Sequence, residues 1–203
     1  MTDILPFIIS LFVGIGLAAA TGFRVFLPIF FLSLGSYLGW IPLDESYAWV
    51  GGLPAVIATG LATLFEILAY YIPFIDNILD SITVPLATVA GSLLFATQFT
   101  EVSSWIQWSL ALIAGGGTAA TISSVFAGTR AASSGTTAGI GNPIISTVET
   151  VGSTIMSILA IFLPILAGIL VILILYFAIK YGKKLLDKVR KKPKVNKFKD
   201  STY

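Results

Sequence analysis

With 203 residues, 56% of them hydrophobic and only 11% charged, the chain has too few charged side chains to cover a water-facing surface, for which about 25% is usual. Its mean hydropathy of +0.94 excludes an ordinary soluble domain and makes lipid the solvent for much of its surface. The net charge of +2 hides an asymmetry: residues 1–179 hold two basic and eight acidic side chains (−6), and residues 180–203 hold ten basic and two acidic ones (+8).

Six stretches without a charged residue, 4–23, 25–43, 46–65, 81–100, 102–129 and 151–179, approach or exceed the roughly 20 apolar residues that a spanning helix needs. They predict an all-α fold: a polytopic membrane helical bundle of about six membrane segments, one or two of them re-entrant. Residues 1–180 form the membrane domain and 181–203 a basic tail. Asp3, with no Lys or Arg before the first apolar run, is unlike a cleavable signal, so that run is expected to stay in the protein.

The first block, residues 4–43, is too long for one span at the α-helical rise; Thr21, Gly22 and Pro28 offer breaks. Gly35 and Gly39 have the GxxxG spacing that permits close helix contact. Trp40, Tyr47 and Trp49 fit an interfacial aromatic belt. The second block begins near Gly51, with Pro54 in a first helical turn, and Pro73 ends or kinks it. Residues 74–82 fit a short amphipathic interfacial helix: Asp76 and Asp80 are one turn apart, and Ile75, Ile78, Leu79 and Ile82 form much of another face. A third block covers residues 84–99 and a fourth 106–127, where Gly115, Gly116 and Gly117 favour close packing.

Residues 128–149 are small and polar. They fit an external loop or, preferably, a broken or re-entrant element held inside the protein, because non-helical backbone survives at depth only there. The last block, residues 154–179, is long enough to cross with tilt, with Pro164 and Gly168 as bend points. Beyond Lys180 a turn or two of helix and then disorder are expected. A faint repeat relates Gly16, Ala19, Ala20, Thr21, Val25 and Phe26 to Gly116, Ala119, Ala120, Thr121, Val125 and Phe126, at an offset of 100 residues. If it reflects two halves, as in many transporters, the breaks near Gly22 and Gly128 are counterparts.

The chain has neither Cys nor His, which excludes thiol chemistry, disulfides and Cys- or His-ligated metals. Ionisable side chains inside a membrane face a bundle interior or a cavity. That singles out Arg24, Glu66, Asp76, Asp80, Arg130 and Glu149, with Asn142 beside them, as candidates for a substrate or ion pathway. Arg24, with 20 uncharged residues before it and 19 after it, is the strongest signal. Glu66 is expected to pair with Arg24 or Arg130, whereas Asp76 and Asp80 are weaker because an interfacial helix would point them at water. The competing account is a structural clamp between arginines and acids. No HExxH, GxSxG or Walker A pattern occurs, so no enzyme and no cofactor is expected.

The run Thr21-Gly-Phe-Arg-Val-Phe-Leu-Pro28, then Glu66, the segment from Tyr71 to Asp80, Pro85 and Gly91, and finally Gly115 through Arg130 to Asn142, Pro143 and Glu149, resembles a bacterial integral membrane family of unknown function. The resemblance covers roughly residues 10–170 and leaves the basic tail out. It implies a membrane fold and supplies no substrate. The expected function is a small transporter or channel-like permease for an ion, small anionic solute or lipid; the alternative is a structural membrane protein or assembly factor. Expected partners are membrane lipids, anionic headgroups at the basic tail and further copies of the chain, with no nucleic acid. The expected location is the bacterial inner membrane, the tail being cytoplasmic by the positive-inside rule.

Overall fold

The computed structural model describes residues 4–100 and 102–190. The end of the basic tail, with its expected disorder, lies outside the described residues. All regular structure among them is helical. Helix α1, Ile4–Phe23, and α2, Phe26–Tyr37, are linked by Arg24 and Val25; a 3-10 turn, Glu45–Gly51, leads into α3, Leu53–Ala69. Helix α4 spans Pro73–Ala96. Helix α5, Ser104–Leu110, runs through a π-helical segment, Ala111–Gly116, into α6, Gly117–Thr137. Two more follow, α7, Asn142–Phe162, and α8, Pro164–Arg190.

Proline punctuates this order. Pro54, Pro73 and Pro143 occupy the first positions of α3, α4 and α7, and Pro164 opens α8, where a missing N–H removes no helical bond. Asp44 caps the 3-10 turn by accepting the Ser46 N–H at 2.9 Å, and that backbone bond holds its carboxyl below the usual aspartate value.

Among the described residues, four helices are long and apolar enough to cross a membrane: Ile4–Phe23, Ile78–Ala96, Ser104–Thr137 and Asn142–Phe162. The 3-10 turn and α3, bent by 59°, make a fifth if taken as one span; α2 and the Pro164–Lys180 part of α8 are shorter. The protein is thus a polytopic membrane helical bundle with four or five spanning-length segments among the described residues, where about six membrane segments, one or two of them re-entrant, were expected. Helix α7 shows which solvent surrounds it. Asn142, Ser146, Glu149, Ser153 and Ser157 are buried, while Ile144, Val148, Val151 and Ile155 are exposed. A helix with its polar stripe inward and its apolar stripe outward suits lipid.

Helix α1 packs against α4, α6, α7 and α8. Its segment from Gly16 to Gly22, almost all small residues, is buried on every side. A Cβ on Gly22 would lie 2.6 Å from Cβ of Ile122 and 2.8 Å from the Ala119 carbonyl oxygen. Helix α4 approaches the π-helical segment as closely, since a Cβ on Gly115 would lie 2.7 Å from the Gly91 carbonyl oxygen. Between lipid-solvated helices such approach gives the dispersion contact that holds them together.

Helices α1 and α7 run antiparallel: Gly16 packs on Ala160, the Ser153 hydroxyl donates to the Ala20 carbonyl at 2.9 Å, and Arg24 reaches Ser146. The chain turns back at Arg24, because Ile4 and Phe7 at the start of α1 line the same cleft as Pro42 and Asp44 beyond α2. The twelve residues of α2 reach about 18 Å, well short of a hydrocarbon core of about 30 Å. Arg24 therefore occupies the tip of a helical hairpin inside the bundle.

Several sequence expectations are corrected. Residues 74–82 are no separate interfacial helix; they begin α4, which continues through Pro85. Residues 128–149 are neither a long loop nor a re-entrant break. Helix α6 runs to Thr137, Asn142 begins α7, and the turn between them has positive φ at Ala138 (52°) and Gly139 (85°). The last block is divided at Leu163, whose φ of −136° and ψ of 60° precede Pro164. The break near Gly22 exists, but Gly128 lies within α6, so the two are not counterparts. Gly35 and Gly39 form no helix-packing pair: Gly35 faces Ile41 of its own turn, and Gly39 (φ 74°) is in that turn with nothing within 4 Å of an added Cβ.

The close approach at Gly22 has a measurable consequence. Gly22→Ala is expected to destabilise the protein by about 1–3 kcal/mol, the usual cost of overpacking. Gly128→Ala, with nothing within 4 Å of the added Cβ, should be neutral or slightly stabilising. Thermal unfolding of both variants in mild detergent checks the pair.

Candidate functional site

Five elements, the tip between α1 and α2 and the ends of α3, α4, α6 and α7, bring the candidate residues together. Asp80, Arg130 and Glu149 each lie seven residues from an end of their helix, counted from Pro73, Thr137 and Asn142 respectively. Seven residues are about 10 Å of helix, so these side chains form a layer at a common depth, and the hairpin tip delivers Arg24 to it.

Arg24, 1% exposed, donates from Nε to Oγ1 of Thr150 at 3.1 Å. Its Nη2 donates to the Ser146 carbonyl at 2.9 Å and to the Ser146 hydroxyl, and lies 3.8 Å from Oε2 of Glu149. Arg130, 2% exposed, donates from Nη1 to the same Oε2 at 2.7 Å, and its Nε is 2.8 Å from Oδ1 of Asp80. One carboxylate oxygen thus serves both arginines.

Tyr70 completes the layer. It caps the C-terminus of α3, and its ring centroid is 4.2 Å from Cζ of Arg24 and 4.3 Å from Cζ of Arg130. Its hydroxyl shares a 2.5 Å hydrogen bond with Oγ1 of Thr83. The negative face of the ring attracts both guanidinium groups and so offsets part of the repulsion between them.

Glu66 does not pair with either arginine. Its two oxygens accept the backbone N–H groups of Val25 and Phe26 at 2.7 and 2.9 Å. Those are orphan donors at the start of α2, and a carboxylate there also suits the positive end of the helix. Glu66 therefore fixes the hairpin that carries Arg24. Asp76 is not directed at water: it is 1% exposed and accepts from Nδ2 of Asn142 at 2.8 Å. That Nδ2 also donates to the Ser134 hydroxyl at 3.0 Å. Asp80 keeps 17% of its side chain exposed.

All seven sequence candidates converge on this end of the bundle. The cleft between the start of α1 and residues 97–102 lies at the opposite end and holds none of them. Tyr70, Ser146, Thr150 and Ser134 were missed. Tyr70 follows Glu66 by one helical turn, and Ser146 belongs to the buried polar stripe of α7, so both carried a periodic signal.

Among the described residues, no three acidic side chains are grouped to hold a metal ion. Within the layer the buried atoms Nη1 of Arg24 and Oε1 of Glu149 lack hydrogen-bond partners, while Nε of Arg130 and Oδ1 of Asp80 meet each other as an ion pair without a hydrogen bond.

The double cation–π contact sets the expected behaviour of Tyr70 variants. Tyr70→Phe keeps the ring and loses only the hydroxyl bond, at a cost of about 1 kcal/mol. Tyr70→Leu also loses the cation–π contacts, each worth roughly 2 kcal/mol when desolvated, and should unfold at a clearly lower temperature than Tyr70→Phe in the same detergent.

No curated protein and no solved structure matches the chain. Residues 11–184 match the family described as a domain of unknown function, DUF4126, a span that takes in every charged side chain of the layer. The chain belongs to the DUF4126 family.

Proposed function

We propose that this protein is a small transporter or channel-like permease, and that the layer of Arg24, Tyr70, Arg130 and Glu149 lies in the path of a small ion or polar solute. The observation that carries this reading is the incomplete pairing of the layer. A clamp with no other role would be expected to satisfy each costly buried polar atom, yet Nη1 of Arg24 and Oε1 of Glu149 have no partner. A passing solute with one acceptor and one donor would complete the set. Thr136, Thr137 and Thr147 are exposed at this end and offer a polar approach to the layer.

The competing reading is a structural membrane protein or assembly factor. Its support is the tight pairing of Arg130 between Asp80 and Glu149. In either reading the basic residues after Lys180 keep the C-terminus cytoplasmic and attract anionic lipid. We propose no enzymatic reaction. Gly135, which meets nothing within 4 Å, offers the end of α6 as a face for a second copy. Native mass measurement in mild detergent should then give a dimer or higher oligomer, and a strict monomer at all concentrations would reject it.

The two readings separate in reconstituted vesicles. Flux is screened over inorganic ions, organic anions and lipids for wild type, Arg24→Gln and Arg130→Gln, with thermal stability measured on the same samples. A permease loses flux in Arg24→Gln while most of the protein stays folded. Absence of flux for every solute, with both variants only destabilised, contradicts the transport reading.

A further inference from the structure

We propose that the side-chain oxygens of Asp76 and Asn142, the latter oriented by the hydroxyl of Ser134, form a binding site for a monovalent inorganic cation of the sodium class. The site is adjacent to the arginine layer and separate from it. Asp76 is 1% and Asn142 2% exposed, and the two come from the N-terminal turns of α4 and α7. Nδ2 of Asn142 donates to Oδ2 of Asp76 at 2.8 Å and to Oγ of Ser134 at 3.0 Å. Two acceptors on its amide nitrogen fix the orientation of the side chain, because the reversed amide would set its oxygen against a carboxylate. The remaining oxygens, Oδ1 of Asp76 and Oδ1 of Asn142, are both buried and both without a hydrogen-bond donor.

These two orphan acceptors are independent observations on different helices. Each is costly if left alone in a buried position. Charge points the same way. Two guanidinium groups and four carboxylates, Glu66, Asp76, Asp80 and Glu149, meet at this end, so two carboxylates are in formal excess among the described residues. Glu66 is compensated by two backbone N–H groups at a helix start. Asp80 and Glu149 are paired with Arg130. Asp76 has no cationic partner among the described residues, and Asp80, one turn along the same face of α4, repels it. A single positive ion bound to the two free oxygens would satisfy both atoms and neutralise the remaining carboxylate.

The donor set selects the class of ion. A divalent cation such as calcium takes six to eight oxygen ligands and usually several carboxylates, whereas this site offers one carboxylate oxygen and one amide oxygen. A monovalent ion balances the single charge and completes its shell with water. Ser134, half-buried beside exposed Gly135 and Thr136, gives the ion a wet route in from the end of the bundle. The site goes beyond the transport reading and does not depend on it: a protein that moves no solute can still hold the ion.

The test uses the full-length chain in mild detergent. Thermal unfolding is compared in sodium, potassium, lithium and choline chloride at constant ionic strength, for wild type, Asp76→Asn and Ser134→Ala. Wild type should unfold roughly 5 °C higher in the preferred alkali salt than in choline, at about a hundredfold excess of ion over its Kd. Asp76→Asn removes the uncompensated charge, so it should fold without the ion and show no ion-dependent shift. Ser134→Ala, which keeps the carboxylate and the amide, should retain the shift but need several-fold more salt to reach it. Identical unfolding of wild type in all four salts overturns the proposal, as does an undiminished shift in Asp76→Asn. A protonated Asp76, seen as a carboxylic acid C=O stretch in alkali salt that Asp76→Asn abolishes, also overturns it. Flux measured in parallel keeps the two claims apart, since loss of the ion effect with intact flux removes only the cation site.

Discussion

Two guanidinium groups, those of Arg24 and Arg130, share one carboxylate oxygen of Glu149 and one aromatic ring, Tyr70, inside a protein whose solvent is lipid. An arginine placed against hydrocarbon costs at least about 2.5–3.5 kcal/mol, so its partners must reach it within the protein. The hairpin tip between α1 and α2 brings Arg24, the end of α3 brings Tyr70, α4 brings Asp80, α6 brings Arg130 and α7 brings Glu149. The packing of five elements at this end follows from that requirement. Glu66 shows how far it extends, since its carboxylate is spent on two N–H groups of the hairpin that holds Arg24 in place.

The rest of the bundle makes this convergence possible. Lipid tails are as apolar as leucine, so the helices are not driven together by water and must gain contact by approaching closely. The small residues of α1 from Gly16 to Gly22, and the facing pair Gly91 and Gly115, provide that approach. Burying small side chains in the middle leaves large apolar ones for the outside, as Ile57, Leu61, Leu64 and Phe65 on α3 illustrate. The polar stripe of α7 then lies inward, where Arg24 donates to its Ser146 and Thr150 and the Ala20 carbonyl accepts from its Ser153.

How far the sequence foretold this depended on which physical signal a residue carried. The uncharged blocks identified the membrane class, because length and hydropathy alone decide it. The seven site candidates were legible for the same reason, since a charge or amide in such a chain must be sheltered. Other features rested on signals that point two ways. The small polar run from Gly128 to Thr137 has weak helix formers and resembles a loop, yet it stays helical because α6 is continued by its own ladder of i,i−4 bonds. Pro73 was legible as a boundary, but not that the residues after it belong to the same helix as Val84, since Asp76 and Asp80 opposite an apolar face suit an interfacial helix equally well. Tyr70 was missed because it carries no charge, and the candidates were chosen by charge. The return of the chain at Arg24 was invisible to hydropathy, which registers no direction.

The central claim is that Arg130 and Glu149 are one interacting unit whose loss is felt by the whole fold. A double-mutant cycle for Arg130→Gln and Glu149→Gln, followed by reversible unfolding in detergent, tests it most directly. Each single variant strands a buried charge and is predicted to lose about 3–5 kcal/mol, while the double variant loses much less than their sum. Losses that add within about 0.5 kcal/mol would show that the two side chains do not act together and would contradict the account.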